Sequence, residues 1–254
     1  MFSLSRENTV RIDELTWIEV KALLDRGVRR FILPVGTLEP HGTHLPLGTD
    51  TIAPYAIALE VARRVNALVL PPIYYGVTKS LAGYPGAVRI EPSILKEYVY
   101  SILKYMALHG FKEAVIMNGH GGREQVEALD KAAFRIWQEY HIPVLIINWW
   151  SLARERGITQ KFLSKEGGHG GSDETAVIYS VAPHLVKKHL YDENQILVYS
   201  SSIIAYPIEG TIINYSDKEG GVLFDETKSK KYFNMLVNEI AKVVDEYFQK
   251  VSFK

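Results

Sequence analysis

The densest concentration of chemically able side chains is the stretch TLEPHGTHLPLGTD, where Glu39, His41, His44 and Asp50 fall within twelve residues. Two further stretches add to it: NGHGGRE presents His120, and EGGHGGSDET presents His169, Asp173 and Glu174. Four of the eight histidines thus sit in three glycine-rich segments. The chain has no cysteine, so a metal held here must rest on carboxylate oxygen and imidazole nitrogen, donors suited to Zn²⁺, Mn²⁺ or Fe²⁺. Three carboxylates and two histidines are enough for a pair of ions sharing one carboxylate, which would lower the pKa of a water between them and polarise a carbonyl. That is the apparatus of amide hydrolysis. A Glu-x-His pair, or a histidine beside glycine, equally suits a loop or a helix cap, so the clusters alone leave both readings open.

The other histidines, His109, His141, His184 and His189, lie near helix ends or charged stretches and read as structural or solvated. Trp149 and Trp150 close an apolar run and suit either a core or a wall for a flat substrate.

The elements that must carry these residues follow from hydrophobic periodicity. Short apolar runs bounded by glycine or proline, at Phe31 to Val35, Ala67 to Leu70, Ala114 to Met117 and Val144 to Ile147, predict buried strands. Between them, Trp17 to Asp25, Ala53 to Val65, Pro92 to Leu108 and Gln125 to Tyr140 space apolar residues by three and four and predict helices. Alternating strand and helix implies an α/β fold with a mostly parallel sheet covered on both faces. The first two chemical clusters then lie beyond the carboxyl ends of strands, where open sheets bind ligands. Pro40, Gly42, Pro46 and Gly48 argue for a shaped loop in the first of them. A last amphipathic helix is expected from about Lys230 to Phe248, after an irregular or hairpin-like stretch from Ile196 to Glu226.

With 254 residues, 47% of them hydrophobic, the chain can bury a full core as one domain spanning 1–254. Basic and acidic residues both number 29, which offers no overall field for nucleic acid or an anionic membrane. No run of about 18 apolar residues occurs, and the opening MFSLSRENTVRIDEL lacks the apolar core of a secretory signal, so a cytoplasmic location is expected.

In order and spacing, PVGTLEPHGTHLPLGTD, GYPGAVRI, GFKEAVIMNGHGG and HGGSDET resemble the creatininase family, across roughly Ile32 to Val181. That family of metal-dependent hydrolases includes creatinine amidohydrolase, a deformylase acting on a formylamino-pyrimidine ribonucleotide in flavin and deazaflavin synthesis, and a peptidase of mycofactocin maturation. The resemblance implies a three-layer α/β/α sandwich, a centre of two divalent ions, with zinc expected ahead of manganese or iron, and a homo-oligomer, often a hexamer. Carried over by position, Glu39, His41, Asp50 and His120 match the family's ligands, and Glu174 matches the glutamate of its later motif. Asp50 would bridge, one ion taking Glu39, Asp50 and His120 and the other His41, Asp50 and Glu174. His169 is the candidate to deliver a proton to the leaving nitrogen, with Glu174 beside it in the catalytic set. His44 is the second candidate for that role, or else orients a ligand, and His44, Arg123, Trp149 and Trp150 are the candidate substrate contacts.

The implied reaction is cleavage of a carbon–nitrogen bond in a small cyclic or formylated amide. The chain departs from creatininase itself, which has tyrosine and glutamate where Gly121 and Gly122 stand here; Arg123, Gly170 and Ser172 also replace commoner residues. The glycine pair suits the deformylase as an alternative, whose phosphate would need a cation such as Arg123, Lys79 or Arg89. The departures at Arg123 and Ser172 also suit a metal-binding member without catalysis.

Overall fold

The four apolar runs are rich in valine, isoleucine and leucine and are closed by asparagine, glycine or proline, which favours short, fully buried strands. In a computed structural model, which describes residues 9–163, 167–200, 202, 204–206, 208–216, 219 and 221–251, these runs are β1 (Arg30–Val35), β2 (Ala67–Val69), β3 (Glu113–Asn118) and β4 (Val144–Asn148). Part of the N-terminal stretch and Glu166 of the third motif lie outside the described residues. All pairings in this sheet are parallel and its order is β2-β1-β3-β4.

Helices cover both faces, as a parallel sheet requires. They are α1 (Trp17–Asp25), α2 (Thr49–Val65), α3 (Pro92–Leu108), α4 (Arg123–Tyr140), α5 (Trp149–Glu155), α6 (Ile158–Leu163), α7 (Ser172–Val181) and α8 (Glu226–Val251). On one face Leu95 and Leu103 of α3 and Leu129 and Ile136 of α4 pack against Leu33 and Ile116 of the sheet, with α1 half-buried beside them. On the other, Ile57 of α2, Val177 of α7 and Tyr232, Leu236 and Ile240 of α8 pack against Ile32, Val115 and Met117. The result is a three-layer α/β/α sandwich.

Besides shifts of one or two residues at other element ends, three departures from the sequence expectation stand out. Helix α2 begins at Thr49 rather than Ala53, so Asp50 stands in its first turn and not in the loop. Threonine and aspartate favour a helix start, and the neighbouring prolines and glycines mask that preference when read as a run. Helix α8 is longer at both ends than Lys230 to Phe248. The stretch expected to be irregular or hairpin-like holds a parallel pair, β5 (Ile196–Val198) and β6 (Ile212–Asn214), which a tight hairpin cannot form. Among the described residues, no helix is long and apolar enough to cross a membrane.

Strand order fixes where chemistry belongs. From β1 the chain passes outward to β2 on one side, and from β3 outward to β4 on the other, so the crevice between the carboxyl ends of β1 and β3 is the switch point of the sheet. Glycine follows both strands, and the first turn of α2 descends between them. A Cβ on Gly36 would lie 2.3 Å from the carbonyl oxygen of Asp50, and one on Gly119 only 1.8 Å from the same atom. Pro54, four residues on, has no N–H for that carbonyl, which leaves it free to lie against the strand ends.

The close approach makes Gly119→Ala a test of this seat. It should cost about 1–3 kcal/mol in unfolding experiments on metal-free protein, as overpacking does, whereas Gly83→Ala, with nothing within 4 Å of its added carbon, should stay near wild type. Equal stability of the two variants would show that the approach is not tight.

Candidate metal centre

Three loops meet at the switch point. The loop after β1 is tied down on both sides of Glu39 and His41: Val88 N donates to Leu38 O at 3.1 Å, and Gly42 N donates to Thr211 O at 2.7 Å. The GYPGAVRI segment singled out in the sequence therefore braces this loop. The loop after β3 is shaped by Asn118, whose side-chain amide donates to His120 O and to Asn148 Oδ1, each at 2.8 Å, while Gln125 Nε2 donates to Asn118 Oδ1 at 3.0 Å. The third loop is pinned to β6, where His169 and Ile213 exchange backbone hydrogen bonds of 2.9 and 2.8 Å.

Their side chains converge on Asp50. One carboxylate oxygen, Oδ1, lies 2.8 Å from His41 Nε2, and the other, Oδ2, lies 3.0 Å from His120 Nδ1. Glu39 Oε1 is 3.0 Å from the same nitrogen of His120, and Glu174 Oε1 is 3.8 Å from His41 Nε2. Two groups of donor atoms able to hold a cation, each within 4.8 Å, share Asp50: Glu39, Asp50 and His120, and His41, Asp50 and Glu174. The five residues that the sequence placed together are thus in mutual reach, and all are buried.

The donor chemistry fits divalent metal. His41 Nδ1 donates to the backbone carbonyl of Glu39 at 2.9 Å, which leaves Nε2 as the nitrogen facing the carboxylates. Among the described residues no lysine or arginine enters the cluster to balance three buried carboxylates. Without an ion the imidazoles must do so. Burial opposes charge on His41, but Asp50 and Glu174 override it and raise its pKa to about 10. His120 is likewise held well above its ordinary value against burial, by Glu39 and Asp50. Burial pushes Asp50 up, and the two imidazoles more than reverse it. Glu174, with the weakest cationic support, is pushed up to about 8 by burial, with Asp50 and Asp173 adding to the rise.

A Cβ on Gly122 would come within 2.3 Å of His120 Nε2, so a side chain there would require the imidazole to shift. The third carboxylate comes from Glu174 in the first turn of α7, whose Oε2 accepts from Gly170 N at 2.6 Å. Gly170 has φ +69, the left-handed region that favours glycine, and folds the loop back to make that contact.

The remaining sequence candidates separate. His169 borders the cluster: its Nε2 donates to Pro40 O at 2.7 Å, its Nδ1 lies 3.6 Å from Glu39 Oε1, and its ring stacks on His41 at 4.2 Å between centroids. Burial and the neighbouring His41 lower its pKa to about 4. His44 does not line the cavity. It is buried against Tyr191 and Phe224, and its Nε2 pairs with Thr175 Oγ1 at 2.9 Å, so it supports the start of α7. The tandem tryptophans point apart. Trp149 is 1% exposed and belongs to the core, whereas Trp150 lines the cavity over Gly121. Arg123 stands at the cavity rim, 91% exposed, with Nε donating to Glu127 at 2.7 Å. Lys79 is at the rim too, and Arg89 spends its guanidinium on Thr78 O and Glu124. His109, His141, His184 and His189 are all exposed, as expected.

Sequence reading missed Asn118 and Gln125, which shape the His120 loop, and Arg154 and Glu219, which line the same cavity of about 570 Å³ as Asp173, a residue the third motif had presented without a role. The spacing of Arg154 four residues after Trp150 was the available signal for one of them.

Residues 13–244 match the family described as Creatininase, creatinine amidohydrolase. Creatinine amidohydrolase of Pseudomonas putida is 33% identical over 70% of this chain and 74% of its own length. The 3-dehydro-scyllo-inosose hydrolase of Thermotoga maritima is 32% identical over 59% of this chain and 46% of its own length. A 2-amino-5-formylamino-6-ribosylaminopyrimidin-4(3H)-one 5'-monophosphate deformylase of Methanothermobacter thermautotrophicus is 28% identical over 60% of this chain and 59% of its own length. Among solved structures, a mutant creatininase in a zinc–zinc form has a TM-score of 0.79 at 25% identity, and a manganese creatininase 0.75 at 26%, each covering 95% of this chain and 99% of the other.

The protonation pattern gives a test that needs no substrate. Adding Zn²⁺ to metal-free protein at pH 7 should release about two protons or more, because His41, His120 and Glu174 must give theirs up to become ligands. Calorimetric heats should therefore depend on the ionisation enthalpy of the buffer, and affinity should rise with pH towards 10. Heats independent of buffer would contradict the arrangement.

Proposed function

Because the chain belongs to the creatininase family and is a metal-dependent hydrolase of carbon–nitrogen amide bonds, we propose that it cleaves a small cyclic or formylated amide at the Asp50 cluster. The observation that carries this reading is the Asp50 carboxylate set between two imidazoles, with Glu39 and Glu174 completing a donor group on either side. In the proposed centre Glu39, Asp50 and His120 hold one divalent ion and His41, Asp50 and Glu174 a second, zinc being the first expectation. Such ions, when bound, polarise the carbonyl and lower the pKa of water.

The residues around the centre do the rest. His169 donates from Nε2 to Pro40 O, so its basic nitrogen is Nδ1, turned to the cavity beside Glu39. Its lowered pKa keeps it neutral at pH 7, ready to accept the proton of the attacking water. It then hands that proton to the nitrogen as the carbon–nitrogen bond breaks and the water oxygen stays on carbon. Trp150 offers a flat wall for the amide, and Glu174 couples the proposed ligand set to α7.

A second reading is supported by the cavity. Its volume of about 570 Å³, with Lys79 and Arg123 at the rim, suits a substrate larger than a single small ring, as a formylamino-pyrimidine ribonucleotide would be. We further infer a homo-oligomer, since Ile94, Tyr98 and Tyr105 of α3 and Phe134 and Trp137 of α4 leave large apolar side chains exposed. Sedimentation at a hexamer mass would agree with the family resemblance, and a monomer would refute it.

Purified protein loaded in turn with Zn²⁺, Mn²⁺ and Fe²⁺ should hydrolyse creatinine or a formylated aminopyrimidine nucleotide, and failure on every amide of a broad panel would overturn the reading. His169→Ala should keep its metal and lose about 100-fold or more in kcat, the scale of general acid–base catalysis. Unchanged turnover would remove His169 from the mechanism.

A further inference from the structure

The cavity has a second polar wall, away from the metal cluster, built by the short helix α5 and the chain around β6. Trp150 and Arg154 lie four residues apart on α5 and both line the cavity, so the helix shows it a flat ring and a guanidinium on one face. We infer that Arg154 anchors an anionic group, a carboxylate or phosphate oxyanion, on a substrate whose flat part rests on Trp150. This deepens the functional reading above and rests on it for the identity of the reaction.

Arg154 is held in place before any ligand arrives. Its Nη1 donates to Glu219 Oε1 at 2.9 Å, and the other oxygen of Glu219 accepts from the backbone of Tyr215. Glu219 is itself buried, so the carboxylate is a fixed post and not a mobile counter-ion. No other hydrogen bond from this guanidinium is found among the described residues. A planar fork fixed at one nitrogen can meet an oxyanion with the others at little further cost in side-chain order.

The neighbouring charges are less suited. Arg123 is 91% exposed and bonded to Glu127, and Lys79 is bonded to Glu124, so both present solvated, paired charge at the rim. Arg154 is only 29% exposed, where an ionic hydrogen bond is less diluted by water. Asp173 is in the same wall and interacts with the Arg154 charge, but no direct ion pair joins the two among the described residues, and its Oδ1 accepts from Glu174 N at 2.9 Å.

The test compares matched probes on the metal-loaded full chain by calorimetry: benzoate against benzyl alcohol, and phenyl phosphate against phenol. A hydrogen bond to a charged group predicts that at least one anion binds about tenfold or more tighter than its neutral partner, and the pair that shows it identifies carboxylate or phosphate. Arg154→Gln should reduce that preference to within about threefold at unchanged metal content. Equal affinities in the wild type, or a preference that survives in R154Q, would overturn the inference, the latter because the metal centre would then be reading the charge. Should R154Q fail to fold, residue-specific modification of the wild type by phenylglyoxal decides: the preferred anion should protect Arg154 and not Arg123, and no selective protection refutes the anchor. None of these readouts needs turnover, so an inactive amide panel would refute the reaction while leaving the anchor to stand or fall here.

Discussion

A buried aspartate with one oxygen on each of two imidazoles is the interaction on which the rest of this molecule turns. Asp50, Glu39 and Glu174 are all withdrawn from water, and carboxylates so placed are costly unless positive charge meets them. Within the described cluster that charge comes from His41 and His120 or from bound cations, because His169, 3.6 Å from Glu39, has its pKa lowered to about 4 by burial and by His41. The imidazoles hold the metal-free centre together by being protonated. The same lone pairs would become available if ions replaced the protons, and in the proposed centre a divalent metal would sit where the structure already concentrates oxygen and nitrogen donors.

The fold supplies this arrangement through backbone contacts more than through side chains. Gly36 and Gly119 let the first turn of α2 drop between the ends of β1 and β3, which puts Asp50 at the switch point of the sheet. Gly122 clears the space that the His120 ring occupies, and Gly170 turns the third loop so that Glu174 meets the cluster from α7. Glycine in these segments is therefore part of how the proposed centre is built, because each position admits another backbone, leaves room for a ring or allows a left-handed turn. The bracing of Leu38 by Val88 and of His169 by Ile213 adds two chain segments that carry no proposed ligand of their own yet set where the ligands stand.

Much of this was legible in the sequence. The strand and helix periods implied a mostly parallel sheet with helices on both faces, and the family resemblance implied the three-layer sandwich and the set Glu39, His41, Asp50, His120 and Glu174, which the structure brings within reach of one another. What was not legible depended on direction or on long-range partners. Trp149 and Trp150 are the same residue type at the same strand end, and only the helical turn that begins there sends one into the core and the other into the cavity. His44 looks as reactive as His41, but the packing of Tyr191 and Phe224 turns it into a support. Arg154 has only its four-residue spacing from Trp150 as a signal, and the partner that fixes its guanidinium, Glu219, is 65 residues away. The start of α2 was hidden because a turn-rich composition and a helix cap use the same residue types.

The central claim is that Asp50 is the shared carboxylate of a two-ion centre. Diffraction from crystals of the metal-loaded chain, collected on either side of the zinc absorption edge, tests it most directly. The account predicts two anomalous peaks, one on each side of the Asp50 carboxylate, the first reached by Glu39 and His120 and the second by His41 and Glu174. A single peak, or ions bound elsewhere with these five side chains keeping only one another, would contradict it.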